Sequence, residues 1–164
     1  LDPGQAERLL RYWGTRAHTA PWRIKTTEAM QYRRIIAQRL FAQGRTKQEI
    51  IESPASRGFG IRDGNGIVFI DKLGNVNPSG FLPIQVGNVR QISLVDIYRD
   101  NELMVALRRP EQFKGRCGRC EFNRWCGGSR ARAWARTGDP LETDPMCPYQ
   151  PSGHYVRAME LATA

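Results

Sequence analysis

The chain has 164 residues, of which 40% are hydrophobic, and it carries a formal net charge of +9. This length fits one ordinary domain, or one small domain plus part of another, and the charge favours acidic partners such as nucleic acid, phosphorylated ligands or an anionic cofactor. No apolar run approaches the length of a membrane span and no signal-peptide pattern opens the chain, so we expect a cytoplasmic protein without membrane contact.

The first part of the chain is predicted to be helical. A short helix over 1–13 is expected to end near Gly14, and apolar residues at helical spacing predict a second helix over 28–43. A third helix is predicted from Thr46, because the sequence TKQE forms a capping box whose two side chains satisfy backbone amides at the helix start. These helices make up the first of two predicted domains, 1–62.

The second predicted domain, 63–164, mixes strands and helices, so the predicted fold class is α+β. Its β-branched and aromatic residues around a Gly-Asn turn predict a hairpin in which 67–70 pairs with 75–77. Capping serines, prolines and glycines mark the ends of further predicted helices, which cover 94–98, 101–108, 128–138 and 153–162.

All four cysteines lie in the second half of the chain, at Cys117, Cys120, Cys126 and Cys147. Without a secretory signal these thiols are expected to be reduced rather than paired as disulfides. Four thiolates without a histidine suit tetrahedral zinc or an iron–sulfur cluster. The spacing C-x2-C-x5-C-x20-C lacks the second C-x2-C knuckle of most zinc modules. It therefore favours a [4Fe-4S] cluster and leaves zinc as a possible substitute.

Basic residues surround the cysteine run, and between residues 108 and 136 they outnumber the acidic ones. Four thiolates around a [4Fe-4S] core leave a net anion, which is costly to bury unless donors and cations surround it. Candidates for that surrounding are the amides of Gly127 and Gly128, at a helix start, and the side chains of Arg130 and Arg132. Since Arg130 and Arg132 cannot share a helix face, we expect one to point inward and the other to meet solvent.

No hydrolytic site is predicted from the remaining polar residues. His18 and His154 lie in no nucleophile motif. Asp139 and Asp144 flank prolines as turn and cap residues rather than as a general acid–base pair. The segment GFGIRDGNG is glycine-rich but lacks the Lys-Ser/Thr ending of a phosphate-binding loop.

The segment GRCGRCEFNRWCGGSRARAWARTGD, with the later DPMC, resembles the C-terminal auxiliary-cluster region, of the SPASM or twitch type, of radical S-adenosylmethionine (SAM) proteins. The segments GNVNPSGFLP, GNVRQISLVDIYRD and WRIKTTEAMQYRR are similar to the same half of the branch around modified-heme biosynthesis, to which pyrroloquinoline quinone maturases are related. The resemblance implies that residues 1–62 are the helical end of a truncated partial (β/α) barrel. It also implies that one [4Fe-4S] cluster is ligated by Cys117, Cys120, Cys126 and Cys147.

This sequence departs from that family's pattern in two ways. Arg130 and Ser79 stand where the resemblance would place cysteines of a second cluster, so a second cluster is not expected. The C-x3-C-x2-C loop that holds the catalytic cluster of radical SAM enzymes is absent. This chain is therefore not expected to cleave SAM, which would be bound by a missing N-terminal radical SAM core.

The leading interpretation is the C-terminal cluster-binding portion of a radical SAM oxidoreductase or maturase. It would support electron transfer or anchor a peptide or tetrapyrrole substrate. The alternative is a zinc-stabilised basic module that binds nucleic acid or protein. Aromatic residues do not interleave with the basic ones as a stacking platform for nucleic acid requires, so nucleic acid is not the expected partner. A standalone cluster carrier that has lost the barrel is a third possibility.

Overall fold

The structure is a computed structural model that describes residues 1–17, 20–21 and 24–160, so His18 lies outside the described residues. Helices dominate this part, and three short strands form one sheet. Single turns of 3₁₀ helix cover Pro54–Ser56 and Pro110–Gln112. The helices and strands in chain order are α1 (Pro3–Arg16), α2 (Gln31–Ala42), α3 (Lys47–Glu52), β1 (Phe69–Ile70), β2 (Asn75–Asn77), β3 (Gly87–Asn88), α4 (Leu94–Asp100), α5 (Glu102–Arg108), α6 (Gly115–Arg119), α7 (Arg130–Thr137) and α8 (Val156–Glu160).

Helix α1 packs on α2 through a glycine. The prediction that the first helix ends near Gly14 is wrong, because α1 continues to Arg16. A Cβ atom at Gly14 would lie 3.3 Å from Cδ1 of Ile36 on α2. Gly14 therefore allows the two helices to approach closely, at the small propensity cost of a glycine in a helix interior.

The next two predicted helices are present, but the first of them begins later than predicted. Helix α2 begins at Gln31, later than predicted, because Glu28 has a positive φ of 56° that helical backbone does not allow. The predicted capping box at the start of α3 is confirmed. Thr46 donates its backbone N–H to Glu49 Oε2 at 2.8 Å, and the Glu49 N–H donates to Thr46 Oγ1 at 3.2 Å.

The predicted hairpin is confirmed, although its first strand has only two residues. Strands β1 and β2 are antiparallel, with Phe69 opposite Asn77 and Ile70 opposite Val76. Strand β3, which was not predicted, pairs with β2 on its other side. The sheet lies on α4, since a Cβ atom at Gly87 would lie 2.7 Å from Cδ1 of Ile97.

The later predicted helices are present with the expected caps. Ser93 and Asn101 cap α4 and α5, and α7 begins after Ser129 and ends at Gly138, whose φ of 76° is left-handed. Helix α8, Val156–Glu160, begins three residues later than the last predicted helix, 153–162, and residues 161–162 of that prediction lie outside the described part of the chain. Helix α6 was not predicted, because its five residues are too few for a periodic pattern.

An apolar cluster spans both sides of the predicted domain boundary. The helical side contributes Leu40 and Ile50, among others, and the other side contributes Phe122, Trp125 and Cys126. The division at residue 62 stays a prediction, but the first helices and the cysteine run share a core. Among the described residues, no helix combines the length and apolar character needed to cross a bilayer.

Candidate metal centre

The four cysteines line one pocket, which we call the cysteine pocket. Cys117 lies in α6, Cys120 directly follows α6, Cys126 ends the next turn, and Cys147 lies in the loop beyond α7. All four are free thiols. The other lining residues are Arg34, Arg116, Asn123, Gly127, Gly128, Thr143, Tyr149 and Pro151.

The turn between Cys120 and Cys126 is held by Phe122. This side chain is fully buried in the shared apolar cluster. Its carbonyl accepts the N–H of Trp125 at 3.0 Å and that of Cys126 at 2.8 Å. Local hydrogen bonding and apolar burial thus fix the positions of the second and third thiols.

A backbone N–H group lies near each cysteine sulfur. Cys117 Sγ accepts from the Asp144 backbone amide at 3.4 Å. For the other three thiols, the backbone amide two residues further along the chain lowers the pKa: that of Phe122 for Cys120, Gly128 for Cys126 and Tyr149 for Cys147. Donors that point at sulfur favour the thiolate form that metals and iron–sulfur clusters require.

Burial opposes that charge while the thiols have no cation. It raises the pKa of Cys120 and of Cys126 to about 12 and also raises the pKa of Cys147. These groups are therefore protonated at neutral pH until a cation displaces the protons.

The four thiols line one shared space. Among the described residues, no three cysteine, histidine, aspartate or glutamate side chains are placed to hold one metal ion. A tetrahedral zinc site needs sulfurs about 3.8 Å apart, because the Zn–S bond is about 2.3 Å. Four thiolates without a histidine suit zinc or an iron–sulfur cluster.

Buried guanidinium groups make the surroundings positive. Arg34, Arg62 and Arg130 are each at most 2% exposed. Arg34 is paired with Glu7, whereas within the described ranges neither Arg62 nor Arg130 forms an ion pair. The Nε atoms of Arg34 and Arg62 are also buried without a hydrogen-bond partner in that part of the chain. Unpaired buried cations are costly, so this interior is suited to an anionic guest.

Two of these groups reach the sulfurs directly. Arg130 donates from Nη2 to Cys117 Sγ at 3.4 Å, and Arg34 Nη2 lies 4.0 Å from Cys147 Sγ. Burial, and next the charge of Arg130, lowers the pKa of Arg62 to about 10. That pKa still leaves Arg62 positively charged at neutral pH.

Arg130 and Arg132 point in different directions, as a spacing of two residues on a helix requires. Arg130 is fully buried, and it donates to the carbonyls of Pro140 at 3.1 Å and Glu142 at 2.7 Å. The Arg132 side chain is 28% exposed and forms an ion pair with Asp144 at 2.7 Å. Arg130 is thus the inward residue, and Arg132 stabilises the frame around the pocket.

The sequence predicted Asp144 to be a turn and cap residue, but in the structure it also forms hydrogen bonds within the site. Its carboxylate is fully buried and accepts the Ser129 backbone N–H at 2.9 Å and the Met146 N–H at 3.0 Å, while its own N–H donates to Cys117. It therefore joins the start of α7 to the loop that carries Cys147. The sequence around DPMC indicated a turn, but not that the carboxylate faces inward.

Gly127 and Gly128 both have left-handed backbone, with φ values of 69° and 66°. A Cβ atom at Gly128 would lie 3.2 Å from Cys117 Sγ and 2.6 Å from Arg130 Nη2. At Gly127 it would lie 2.8 Å from Cδ of Arg62. These glycines let the backbone approach the thiols and the buried arginines closely.

The two positions where a second cluster would need cysteines meet at one carboxylate. The Ser79 hydroxyl donates to Asp63 Oδ1, and Asp63 Oδ2 accepts the backbone N–H groups of Arg130 at 3.0 Å and Ala131 at 3.2 Å. Ser79 is 2% exposed and Asp63 is 1% exposed. Hydrogen-bonded polar side chains therefore occupy this place in the fold.

Sequence reasoning did not find Arg34, Arg62 or Asp63. Arg34 lies in the helical pattern YRRII beside another arginine. The pattern does not show which of the two arginines is buried on the core side of α2. Arg62 and Asp63 lie in a glycine-rich segment that indicates a loop but not its direction. The one available signal was an excess of arginine over carboxylate near the cysteines.

The chain is similar to curated proteins named for heme synthesis. It is 37% identical over 157 residues to the AdoMet-dependent heme synthase of Methanosarcina barkeri, covering 92% of this chain and 43% of the relative. The AdoMet-dependent heme synthase of Nitratidesulfovibrio vulgaris is 33% identical over 156 residues, 92% of this chain and 41% of the relative. The pre-heme d1 synthase of Dinoroseobacter shibae is 38% identical over 109 residues, 64% of this chain and 25% of the relative.

No family model matches the chain. No solved structure matches it either. The chain spans less than half of the length of each of these relatives. It is therefore a homologue of part of the AdoMet-dependent heme synthases.

Proposed function

We propose that this chain is the C-terminal, SPASM or twitch-type portion of a radical SAM oxidoreductase or maturase, and that it binds one [4Fe-4S] cluster. The cluster ligands would be Cys117, Cys120, Cys126 and Cys147. The observation that carries the proposal is the cysteine pocket, which all four thiols line and in which Cys117 accepts a backbone N–H while backbone amides favour the charged form of the other three. The names of the relatives support SAM chemistry in the whole protein.

Cleavage of SAM would belong to another part of the protein. The chain holds four cysteines, all of which line the cysteine pocket, and it has no C-x3-C-x2-C loop. The relatives are named for making heme and pre-heme d1, which are tetrapyrroles. We therefore favour a tetrapyrrole over a peptide as the substrate class of the whole protein.

When bound, the cluster supplies one-electron transfer, and the residues of this chain hold and tune it. The backbone amide of Asp144 donates to Cys117 Sγ, and those of Phe122, Gly128 and Tyr149 favour the charged form of the other three sulfurs. The buried guanidinium of Arg130 places positive charge at Cys117 Sγ. Such a charge favours the reduced, more negative state of a cluster.

The proposal is tested by measuring metal, acid-labile sulfide and visible absorbance on protein purified without oxygen. We expect about four iron and four sulfide per chain with a broad brown band, as a [4Fe-4S] cluster requires. The iron and the band should be lost in Cys117→Ala and Cys147→Ala and kept in the neighbouring control Met146→Leu. One zinc and no sulfide, unchanged after anaerobic reconstitution with iron, would overturn the proposal in favour of the zinc-stabilised basic module.

A further inference from the structure

The side chain of Arg34 forms part of the wall of the cysteine pocket. This residue lies on α2, and its side chain is 1% exposed. The preceding residue, Arg33, donates instead to the backbone carbonyl of Ile61. Of these two consecutive arginines, Arg34 is therefore the one that lies beside the thiols.

Contacts on several sides fix the guanidinium group of Arg34. Its Nη1 donates to Gln38 Oε1 at 2.8 Å, and its Nη2 donates to Glu7 Oε2 at 2.5 Å. Its Cζ lies 4.6 Å from the ring centroid of Tyr149, a residue that also lines the pocket. Tyr149 is held in turn, because its hydroxyl donates to Glu121 Oε1 at 2.8 Å. The direction of the Arg34 donors is therefore set by the surrounding residues.

One donor of this group has no partner in the part of the chain that the structure describes. The Nε atom of Arg34 is buried and forms no hydrogen bond there. A guanidinium has five N–H donors, and an unpaired buried donor on a charged group is costly. Since Nη2 of the same group lies 4.0 Å from Cys147 Sγ, this unused donor belongs to a cation that is already next to a proposed cluster ligand.

The other two buried arginines provide a comparison. Arg62 also has a buried Nε atom without a partner among the described residues, but it does not belong to the described lining of the cysteine pocket. Arg130 uses its Nε atom as a donor to the Gly128 carbonyl at 3.5 Å. Among these three residues, Arg34 thus combines a place in the pocket wall with an unused Nε donor.

We propose that Nε of Arg34 donates a hydrogen bond to a sulfur atom of the bound cluster, on the side of Cys147. The inference deepens the proposed function and rests on it, since it adds a residue that tunes the cluster to those that ligate it. A charged donor stabilises the reduced, more negative state of a cluster and so raises its reduction potential. Arg34 acts next to Cys147 and Arg130 next to Cys117, so the two cations act on different ligands.

The test is pulsed electron paramagnetic resonance of the reduced, iron-reconstituted chain in which every arginine carries ¹⁵N at Nε only. A ¹⁵N nucleus that is hydrogen-bonded to a cluster sulfur gives a coupling to the electron spin, and the unlabelled backbone amides do not contribute to it. The variant is Arg34→Lys, which keeps a positive charge and removes the Nε donor. The matched control is Arg62→Lys, which removes the other buried Nε atom without a described partner.

We expect a ¹⁵N coupling in wild type that is lost in Arg34→Lys and kept in Arg62→Lys. The midpoint potential should fall in Arg34→Met, and Arg34→Lys should recover part of that shift because it restores the charge. The fold should tolerate both variants, since Glu7 keeps its ion pair with Arg11 at 2.8 Å. A wild-type spectrum without the coupling, or a coupling that persists in Arg34→Lys, would overturn the inference.

Iron and sulfide are counted on the same samples, so the two ideas fail separately. Wild type with its full iron and sulfide but no coupling overturns the inference and leaves the proposed function standing. Wild type that takes up neither iron nor sulfide overturns the proposed function, and the inference with it. If Arg34→Lys alone does not load, a coupling kept in both Arg62→Lys and Arg130→Lys supports the inference, and its loss in either variant overturns it.

Discussion

Gly128 is the residue where backbone conformation and sulfur chemistry depend on each other most directly. Its backbone amide lowers the pKa of Cys126, and its missing side chain leaves room for Cys117 Sγ and the Arg130 guanidinium. Its φ of 66° lies in the left-handed region, which costs other residues energy. An iron-binding defect at this position would therefore have two separable causes, strain and displacement of the sulfur.

Gly128→Ala separates these causes when compared with Gly138→Ala. Both positions are left-handed, so both variants should lose about 1–3 kcal/mol of unfolding free energy from strain. Only at Gly128 would the new Cβ atom approach a thiol, since nothing lies within 4 Å of that position at Gly138. We expect iron per chain to fall in Gly128→Ala alone, and equal iron content in the two variants would contradict this view.

Arg130 is the residue expected to tune the reduction potential. Arg130→Met removes a buried positive charge next to Cys117 Sγ, so the more negative, reduced cluster loses more stabilisation than the oxidised one. The midpoint potential of the loaded protein, measured by redox titration, should move to lower values. Arg136→Met, an exposed position on the same helix, should leave it unchanged. A potential in Arg130→Met that matches wild type would argue against a role at the sulfur.

At the scale of elements, α7 depends on two buried carboxylates at its start. Asp144 accepts the Ser129 N–H at 2.9 Å, and Asp63 accepts those of Arg130 and Ala131. They satisfy backbone amides that no helical carbonyl can reach and match the positive end of the helix dipole. The start of α7 is therefore fixed against both the cysteine loop and residue 63.

Asp144→Asn tests how strongly α7 depends on this arrangement. The substitution removes the charge that pairs with Arg132, while the backbone amides still need acceptors. We expect a loss of about 3–5 kcal/mol in unfolding free energy, measured by urea titration of the loaded protein. Asp139→Asn breaks the more exposed pair with Lys114 and should cost less than about 1 kcal/mol. Similar costs for the two variants would contradict a structural role specific to Asp144.

The elements that the sequence predicted well are those with local signals. The capping box at Thr46 and the boundaries of α7 at Ser129 and Gly138 depend on residues within one turn of the element. By contrast, α6 and β3 are too short to show a periodic pattern. Gly14 has the sequence appearance of a helix end, but packing against Ile36 places it inside α1.

In the candidate site too, features with a local sequence signal were predicted and features set by tertiary packing were not. The cysteines were predicted as one site because their residue type and spacing carry the chemistry. The inward direction of Arg34, Arg62 and Asp144 is set by tertiary packing between segments far apart in the chain. Sequence can show an excess of arginine, but it cannot show which arginine is buried.

At the scale of the whole molecule, one buried ion pair links the first helices to the cysteine pocket. Glu7 on α1 pairs with Arg34 on α2, and their side chains are 12% and 1% exposed. Arg34 in turn lies over the ring of Tyr149, 4.6 Å from its centroid, and reaches Cys147 Sγ. The position of α1 is thereby coupled to a proposed cluster ligand.

Glu7→Gln should disrupt this link and leave the Arg34 charge buried without its partner. We expect a loss of about 3–5 kcal/mol in unfolding free energy, together with a lower iron content. Arg11→Met is the matched control, because Arg11 pairs with the same carboxylate from a side chain that is 53% exposed. Its loss should cost at most about 0.5 kcal/mol. Wild-type stability in Glu7→Gln would show that α1 is not coupled to the pocket.

The measurement that tests the central claim most directly is X-ray absorption at the metal edge of the protein purified without oxygen. A [4Fe-4S] cluster held by the four cysteines predicts iron with a sulfur shell and, beyond it, a second shell from neighbouring iron atoms. A zinc edge with one sulfur shell at about 2.3 Å and no metal neighbour would contradict the account. The four thiols would then be the ligands of a single structural ion.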